Sequence, residues 1–92
     1  MIFSLRYEKQ VVAKDIPALP KTVKARVQNA IHEKLTTYPE TFGKPLRRSL
    51  KGYRRLRVGE YRVIFRIEKN TVKIFAIGHR STVYEEYVSS LL

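Results

Sequence analysis

Tyr53-Arg54-Arg55-Leu56-Arg57-Val58-Gly59-Glu60-Tyr61-Arg62-Val63-Ile64-Phe65-Arg66-Ile67 reads as two β-strands joined by a tight turn at Val58-Gly59-Glu60. Side chains alternate across a strand. Arg55 and Arg57 therefore share one face, and Leu56 and Val58 share the other. In the second strand Arg62 and Arg66 oppose Val63, Phe65 and Ile67. Residues 44 to 66 carry nine Lys or Arg and a single acid, Glu60. Arginines on a loop make only a sticky surface. Arginines fixed on a sheet over an apolar layer are held in place, as a phosphodiester backbone requires. The pattern predicts an apolar face packed on helices and an arginine face open to solvent.

The rest of the chain supplies those helices. A turn at Lys69-Asn70 leads to a third strand over about 71–78, giving an antiparallel meander. Met1 to Tyr7 alternates Ile2, Ser4 and Arg6 with Phe3, Leu5 and Tyr7 and reads as a strand. Glu8 to about Ala18 places Val11, Val12, Ile16 and Leu19 near helical spacing, with Pro17 at or beyond the last turn. Pro20 suits the first position of a second helix. Its stripe is Val23, Val27, Ala30, Ile31 and Leu35, and Tyr38-Pro39 closes it. The two helices form an αα-hairpin. Residues 39–52 read as a loop anchored by Leu46 and Leu50. Val83, Tyr84, Tyr87, Val88 and Leu91 predict a short C-terminal helix capped by Ser81 or Thr82, with Glu85 and Glu86 near its positive end. The fold class is α+β. It consists of an N-terminal strand, an αα-hairpin, a three-stranded antiparallel meander completing a four-stranded sheet, and a short C-terminal helix.

Ninety-two residues predict one domain over 1–92 with a modest core. Nineteen basic against eight acidic residues give a net charge of +11, which opposes compaction and favours an anionic partner. Clustering of that charge points to nucleic acid. No helix sets Lys and Arg opposite a bulky apolar face, so membrane binding is not expected. There is no cysteine, no signal-peptide pattern at Met1 to Tyr7 and no apolar run of about 20 residues. These features predict a cytoplasmic protein.

The common catalytic sets are missing. The histidines are His32 and His79, the acids are scattered, and no spacing suits a metal or a cofactor. Arg55, Arg57, Arg62, Arg66, Arg80, His79, Tyr53, Tyr61 and Tyr84 remain. Guanidinium groups clamp phosphate oxygens and stabilise charge developing on a phosphorane-like transition state. Tyrosines stack on bases or exchange protons. Tyr61, by its strand parity, belongs to the core. Tyr84 follows the turn of Gly78, His79 and Arg80, where a strand gives way to a helix. For His79 three roles stand side by side: proton carrier, hydrogen-bonded turn residue and base-stacking ring.

The run Leu50-Lys51-Gly52-Tyr53 through Ile67 resembles the middle of RelE/ParE-superfamily toxins, and Ile77-Gly78-His79-Arg80-Ser81-Thr82-Val83-Tyr84 resembles the C-terminal signature of the RelE branch. The element order is similar over nearly all of the chain, including the Leu19-Pro20-Lys21 lead-in to the second helix. The resemblance implies a toxin of a type II toxin–antitoxin pair, with a cognate antitoxin as partner. It implies a ribosome-dependent, metal-independent endoribonuclease. The ribose 2′-hydroxyl attacks the adjacent phosphate and leaves a 2′,3′-cyclic phosphate. By position, Arg55 matches a basic residue acting at the site, and Arg62 the arginine that holds the scissile phosphate. Arg80 matches the one supporting the transition state or leaving group, and Tyr84 the C-terminal tyrosine. Lys51, Arg54, Arg57, Arg66 and His79 are the expected RNA contacts around them. The partners implied are the antitoxin, mRNA and ribosomal RNA, with no membrane and no small-molecule cofactor.

The family's best-known member carries lysines where this chain has Tyr53 and Arg55. A lysine gives up a proton when its pKa falls, whereas an arginine stays charged. His79, Tyr84 and the ribosome itself are then the candidates for accepting the 2′ proton. Two alternative functions remain: a ParE-like inhibitor of DNA gyrase, and a catalytically silent homologue that only binds antitoxin or RNA.

Overall fold

The alternation around Leu56 and Val63 builds the centre of a five-stranded sheet. The computed structural model describes residues 2–46 and 52–84. Its strands are β1 (Ser4–Tyr7), β2 (Lys44–Pro45), β3 (Tyr53–Val58), β4 (Tyr61–Glu68) and β5 (Thr71–His79), in the spatial order β1-β5-β4-β3-β2. β1 runs parallel to β5 and the other neighbours are antiparallel. The β3–β4 turn holds Gly59 at φ 59°, the left-handed region that glycine enters without a steric penalty. The β4–β5 ladder contains an irregularity between Ile64 and Phe65.

Three helical segments lie between β1 and β3. α1 (Val11–Asp15) is wound wide, so the Ile16 N–H donates to the Val11 carbonyl at 2.9 Å. α2 (Lys21–Ala30) runs straight into a second wide turn, Ile31–Leu35. The Thr36 and Thr37 hydroxyls donate back to the His32 and Glu33 carbonyls as this helix ends. The expected stripe is the buried one. Val27, Ile31 and Leu35 join Leu56, Val58, Val63, Phe65, Ile74 and Ile77 in the main core, with Val23 and Ala30 packed against it. Each fully buried aliphatic or aromatic side chain contributes about 1.5–3 kcal/mol.

The structure corrects four details. Pro20 is the residue before the first helical position rather than that position itself. Residues 39–52 are not all loop. Pro39, whose ring presets φ, starts a single helical turn, α3 (Pro39–Phe42). Lys44–Pro45 then pairs with β3 as an edge strand, a place that tolerates proline's missing N–H. This fifth strand replaces the four-stranded sheet of the sequence reading. Finally, the arginine face is not simply open. Ile64 and Val83 are buried there with Tyr53 and Ala76, and Leu46, Phe75 and Tyr84 pack on this second, smaller cluster. Val83 and Tyr84 are helical, directly after the expected cap residues Ser81 and Thr82, whereas Leu50 and the expected helix positions Glu85, Glu86, Tyr87, Val88 and Leu91 lie outside the described residues.

Asp15 caps the edge of β5 beyond its pairing with β1, which stops at Ile74. Its Oδ2 accepts the Ile77 N–H at 3.0 Å. Burial raises the Asp15 carboxyl above its ordinary pKa, while the Ile77 N–H and the Lys14 charge pull it back down. A carboxyl whose pKa is higher when folded binds its proton more tightly in the folded state. Stability then falls as pH rises from the ordinary carboxylate range to the raised value. Asp15→Asn keeps an acceptor for Ile77 and loses the titration. Melting of the parent relative to Asp15→Asn should therefore decline with rising pH across that window. A difference in Tm that stays flat with pH would contradict this assignment.

Candidate nucleic-acid interface

Strand register brings the arginines together. Arg57 on β3 lies directly opposite Arg62 on β4, and Arg55 opposite Ile64. Like charges facing each other across a ladder destabilise a sheet unless something negative joins them. The β5 end, with its turn through Arg80 and Ser81 to Tyr84, closes the same region. The result is a cleft of about 400 Å³ lined by Arg55, Arg57, Arg62, His79, Arg80, Ser81 and Tyr84. Among the described residues no carboxylate lines it.

Arg62 is only 8% exposed and is the one buried charged side chain among the described residues. Its Nη1 donates to the carbonyls of Gly59 and Tyr61, each at 2.8 Å. These neutral acceptors orient the guanidinium but do not cancel its charge. The expectation that Arg62 projects from an open face is thus corrected: its guanidinium folds back onto the carbonyls of the turn before it and the side chain is buried. Arg80 is the reverse case. Its Nε meets Glu60 at 2.7 Å, yet both side chains are more than half exposed. Such a pair is worth about 0–1 kcal/mol and releases Arg80 to another anion at little cost. Arg55 Nε and the Tyr84 hydroxyl are buried without a hydrogen-bond partner among the described residues. A buried donor left unpaired costs about 1–3 kcal/mol, which an incoming acceptor recovers.

Ser81 holds the His79 ring through Nδ1. The Ser81 backbone N–H donates to its Nδ1 at 3.1 Å, and the Ser81 hydroxyl lies 2.8 Å from the same nitrogen. Nδ1 is therefore an acceptor, and the neutral ring carries its proton on Nε2. The ring packs edge-on against Tyr61, with centroids 5.4 Å apart.

The other predicted RNA contacts are placed elsewhere. Arg54 shares the parity of Leu56 and Val58, and its Nη1 donates to the Gly43 carbonyl at 2.9 Å, tying β3 to the α3–β2 junction. Arg66 pairs with Glu68 and lies over the Tyr53 and Phe75 rings, 5.4 and 5.8 Å from their centroids. The Arg66 guanidinium holds the Glu68 carboxyl below the usual carboxylate range. Lys51 lies outside the described residues. Sequence reasoning overlooked Ser81 and Glu60. Ser81 sits two residues after His79, a spacing that suits a turn bond, whereas nothing local linked Glu60 to Arg80.

Residues 5–84 match the family described as ParE toxin of type II toxin-antitoxin system, parDE. The chain belongs to this toxin family. It is 38% identical over 73 residues to toxin RelG of Mycobacterium tuberculosis, covering 77% of this chain and 84% of RelG. Toxin RelE of the same organism is 35% identical over 74 residues, covering 78% of this chain and 76% of that toxin. The toxin–antitoxin complex RelBE2 of M. tuberculosis contains a chain that superposes with a TM-score of 0.78 at 33% identity, over 87% of this chain and 100% of that one. The α+β fold of this chain is thus shared with that chain of the RelBE2 complex. The protein is a type II toxin of the RelE/ParE family.

Proposed function

We propose that this toxin cleaves mRNA on the ribosome, by attack of a ribose 2′-hydroxyl on the adjoining phosphate. The cleft carries the reading: among the described residues four arginines and a tyrosine line it with no carboxylate, and two of its buried donors lack partners there. In the reaction the 2′-hydroxyl loses its proton as the 2′-oxygen bonds to phosphorus. The bond from phosphorus to the 5′-oxygen breaks, and that oxygen takes up a proton. Charge accumulates on the equatorial phosphoryl oxygens, where fixed donors act most strongly. Arg62, held by two carbonyls, grips the scissile phosphate, and Arg55 and Arg57 flank it. Arg80, freed from Glu60, supports the leaving oxygen. Tyr84 orients the nucleotide. With Nδ1 occupied by Ser81, His79 offers an N–H rather than a lone pair and is not the base. The 2′ proton then passes to a group of the ribosome, either directly or through the Tyr84 hydroxyl, which hands on its own proton as it accepts this one.

The protein acts in the cytoplasm, with mRNA and ribosomal RNA as its nucleic-acid partners. A cognate antitoxin is its protein partner, a reading supported by the relative found paired with an antitoxin in the RelBE2 complex. Adding the purified protein to an in vitro translation reaction tests the activity. Cleavage in register with codons, leaving 2′,3′-cyclic phosphate ends, is the expected result. Intact message with inhibited gyrase supercoiling would replace this reading with the ParE-like one, and neither effect would leave a silent binding homologue.

A further inference from the structure

A second cleft, of about 120 Å³, continues from the first around the β3 edge. Lys34, Phe42, Lys44, Arg55, Leu56 and Arg57 line it, so two arginines belong to both clefts. Again no carboxylate takes part among the described residues. Among the described residues no acid pairs with Lys34, Lys44, Arg55 or Arg57. Register fixes the arrangement: Lys44 on β2 lies directly opposite Arg55 on β3. Arg55 and Arg57 are two residues apart on one strand, roughly 6.6–6.8 Å. That is comparable with the separation of successive phosphates in an extended single strand. Phe42 is one of few large apolar side chains exposed among the described residues, at 42%. The Lys34 ammonium lies over its ring, 5.5 Å from the centroid. A cationic track beside an exposed ring is the combination that binds single-stranded nucleic acid, with cations for the backbone and a flat face for a base.

We infer that Lys34, Phe42 and Lys44 form a second nucleotide subsite, next to the scissile phosphate. Phe42 stacks on a base of the single-stranded RNA, and Lys44 with Arg57 holds the adjoining phosphate. The inference rests on the reading of the arginine cleft as an RNA site. An acidic protein segment is the competing occupant. An exposed ring is of little use to carboxylates, whereas every base has a face to stack.

The chain contains no tryptophan, so Phe42→Trp introduces a single fluorescent reporter at the stacking position. The probe is a 2′-O-methyl octaribonucleotide, which cannot undergo 2′ attack, titrated over a range of salt concentrations. Its binding should quench the Phe42→Trp fluorescence. Phe42→Ala should weaken binding by about 5- to 150-fold. Lys44→Ala should reduce the slope of log K against log salt by about 0.7, the loss of one phosphate contact. A 2′-O-methyl dinucleotide, short enough for the main cleft alone, should bind the parent and these variants alike. If the octamer binds Phe42→Trp without a change in fluorescence, the second subsite falls and the main cleft stands. If the octamer fails to bind the parent, both fall. Quenching by an acidic peptide but not by RNA would overturn the inference in favour of a protein occupant.

Discussion

Arg80→Ala should lower mRNA cleavage by about 10²–10³-fold while leaving the melting temperature close to that of the parent. The first number is the usual effect of removing one fixed donor from a developing oxyanion. The second follows from exposure: Arg80 and Glu60 are 60% and 64% exposed, and substitutions at such surface positions shift stability by about 0.5 kcal/mol or less. Arg62→Ala makes the informative contrast. It should abolish cleavage, but it also strips the Gly59 and Tyr61 carbonyls of their donor and empties a buried site. A stability loss of about 1–3 kcal/mol should accompany it. Primer extension on translated message measures the cleavage, and thermal melting followed by circular dichroism measures the stability. Arg80→Ala cleaving at the parental rate would remove it from the chemistry. Arg62→Ala melting like the parent would mean that its two carbonyl bonds do not support the hairpin.

Val27→Asp should leave no cooperatively folded protein. Val27 is 1% exposed and faces the sheet from the middle of α2. An unpaired carboxylate there costs several kcal/mol in effective desolvation, and the hydrophobic contribution of the valine is lost as well. A domain has about 5–15 kcal/mol in total, and this one also carries the self-repulsion of a +11 charge. The neighbouring Gln28 is exposed, so Gln28→Asp, one step around the helix, should melt within about 0.5 kcal/mol of the parent. Circular dichroism at 25 °C and on heating distinguishes the two. A normal transition for Val27→Asp would mean that α2 presents a different face to the sheet.

Periodicity accounts for what could be read in advance. Strands β3, β4 and β5 and the stripe from Val23 to Leu35 repeat long enough for alternation or helical spacing to stand out. β2 has two residues and α3 has four, too short for any period, and each exists because tertiary packing completes it. Two features of the arginine face were visible in the parity of the strands. Ile64 shares the face of Arg62 and Arg66, which forecasts an apolar cluster under the cations. Arg54 shares the face of Leu56, which removes it from the row formed by Arg55 and Arg57. The convergence of Arg80 and Tyr84 on the strand arginines needed the family resemblance, because no local pattern specifies where a chain turn will return. Phe42 and Lys44 gave no sequence signal at all. They meet Arg57 only when β2 docks on β3.

That docking is brief. β2 covers Arg54 and Arg55 and then stops, leaving the later part of β3 with no strand on its outer side among the described residues. An uncovered strand is a template on which a second copy can add, the first step towards aggregates. Here the exposed margin bears Arg57, within the same cationic row that attracts phosphate. Mutual repulsion between copies keeps such margins apart, so the charge that recruits a polyanion also acts as a safeguard of solubility.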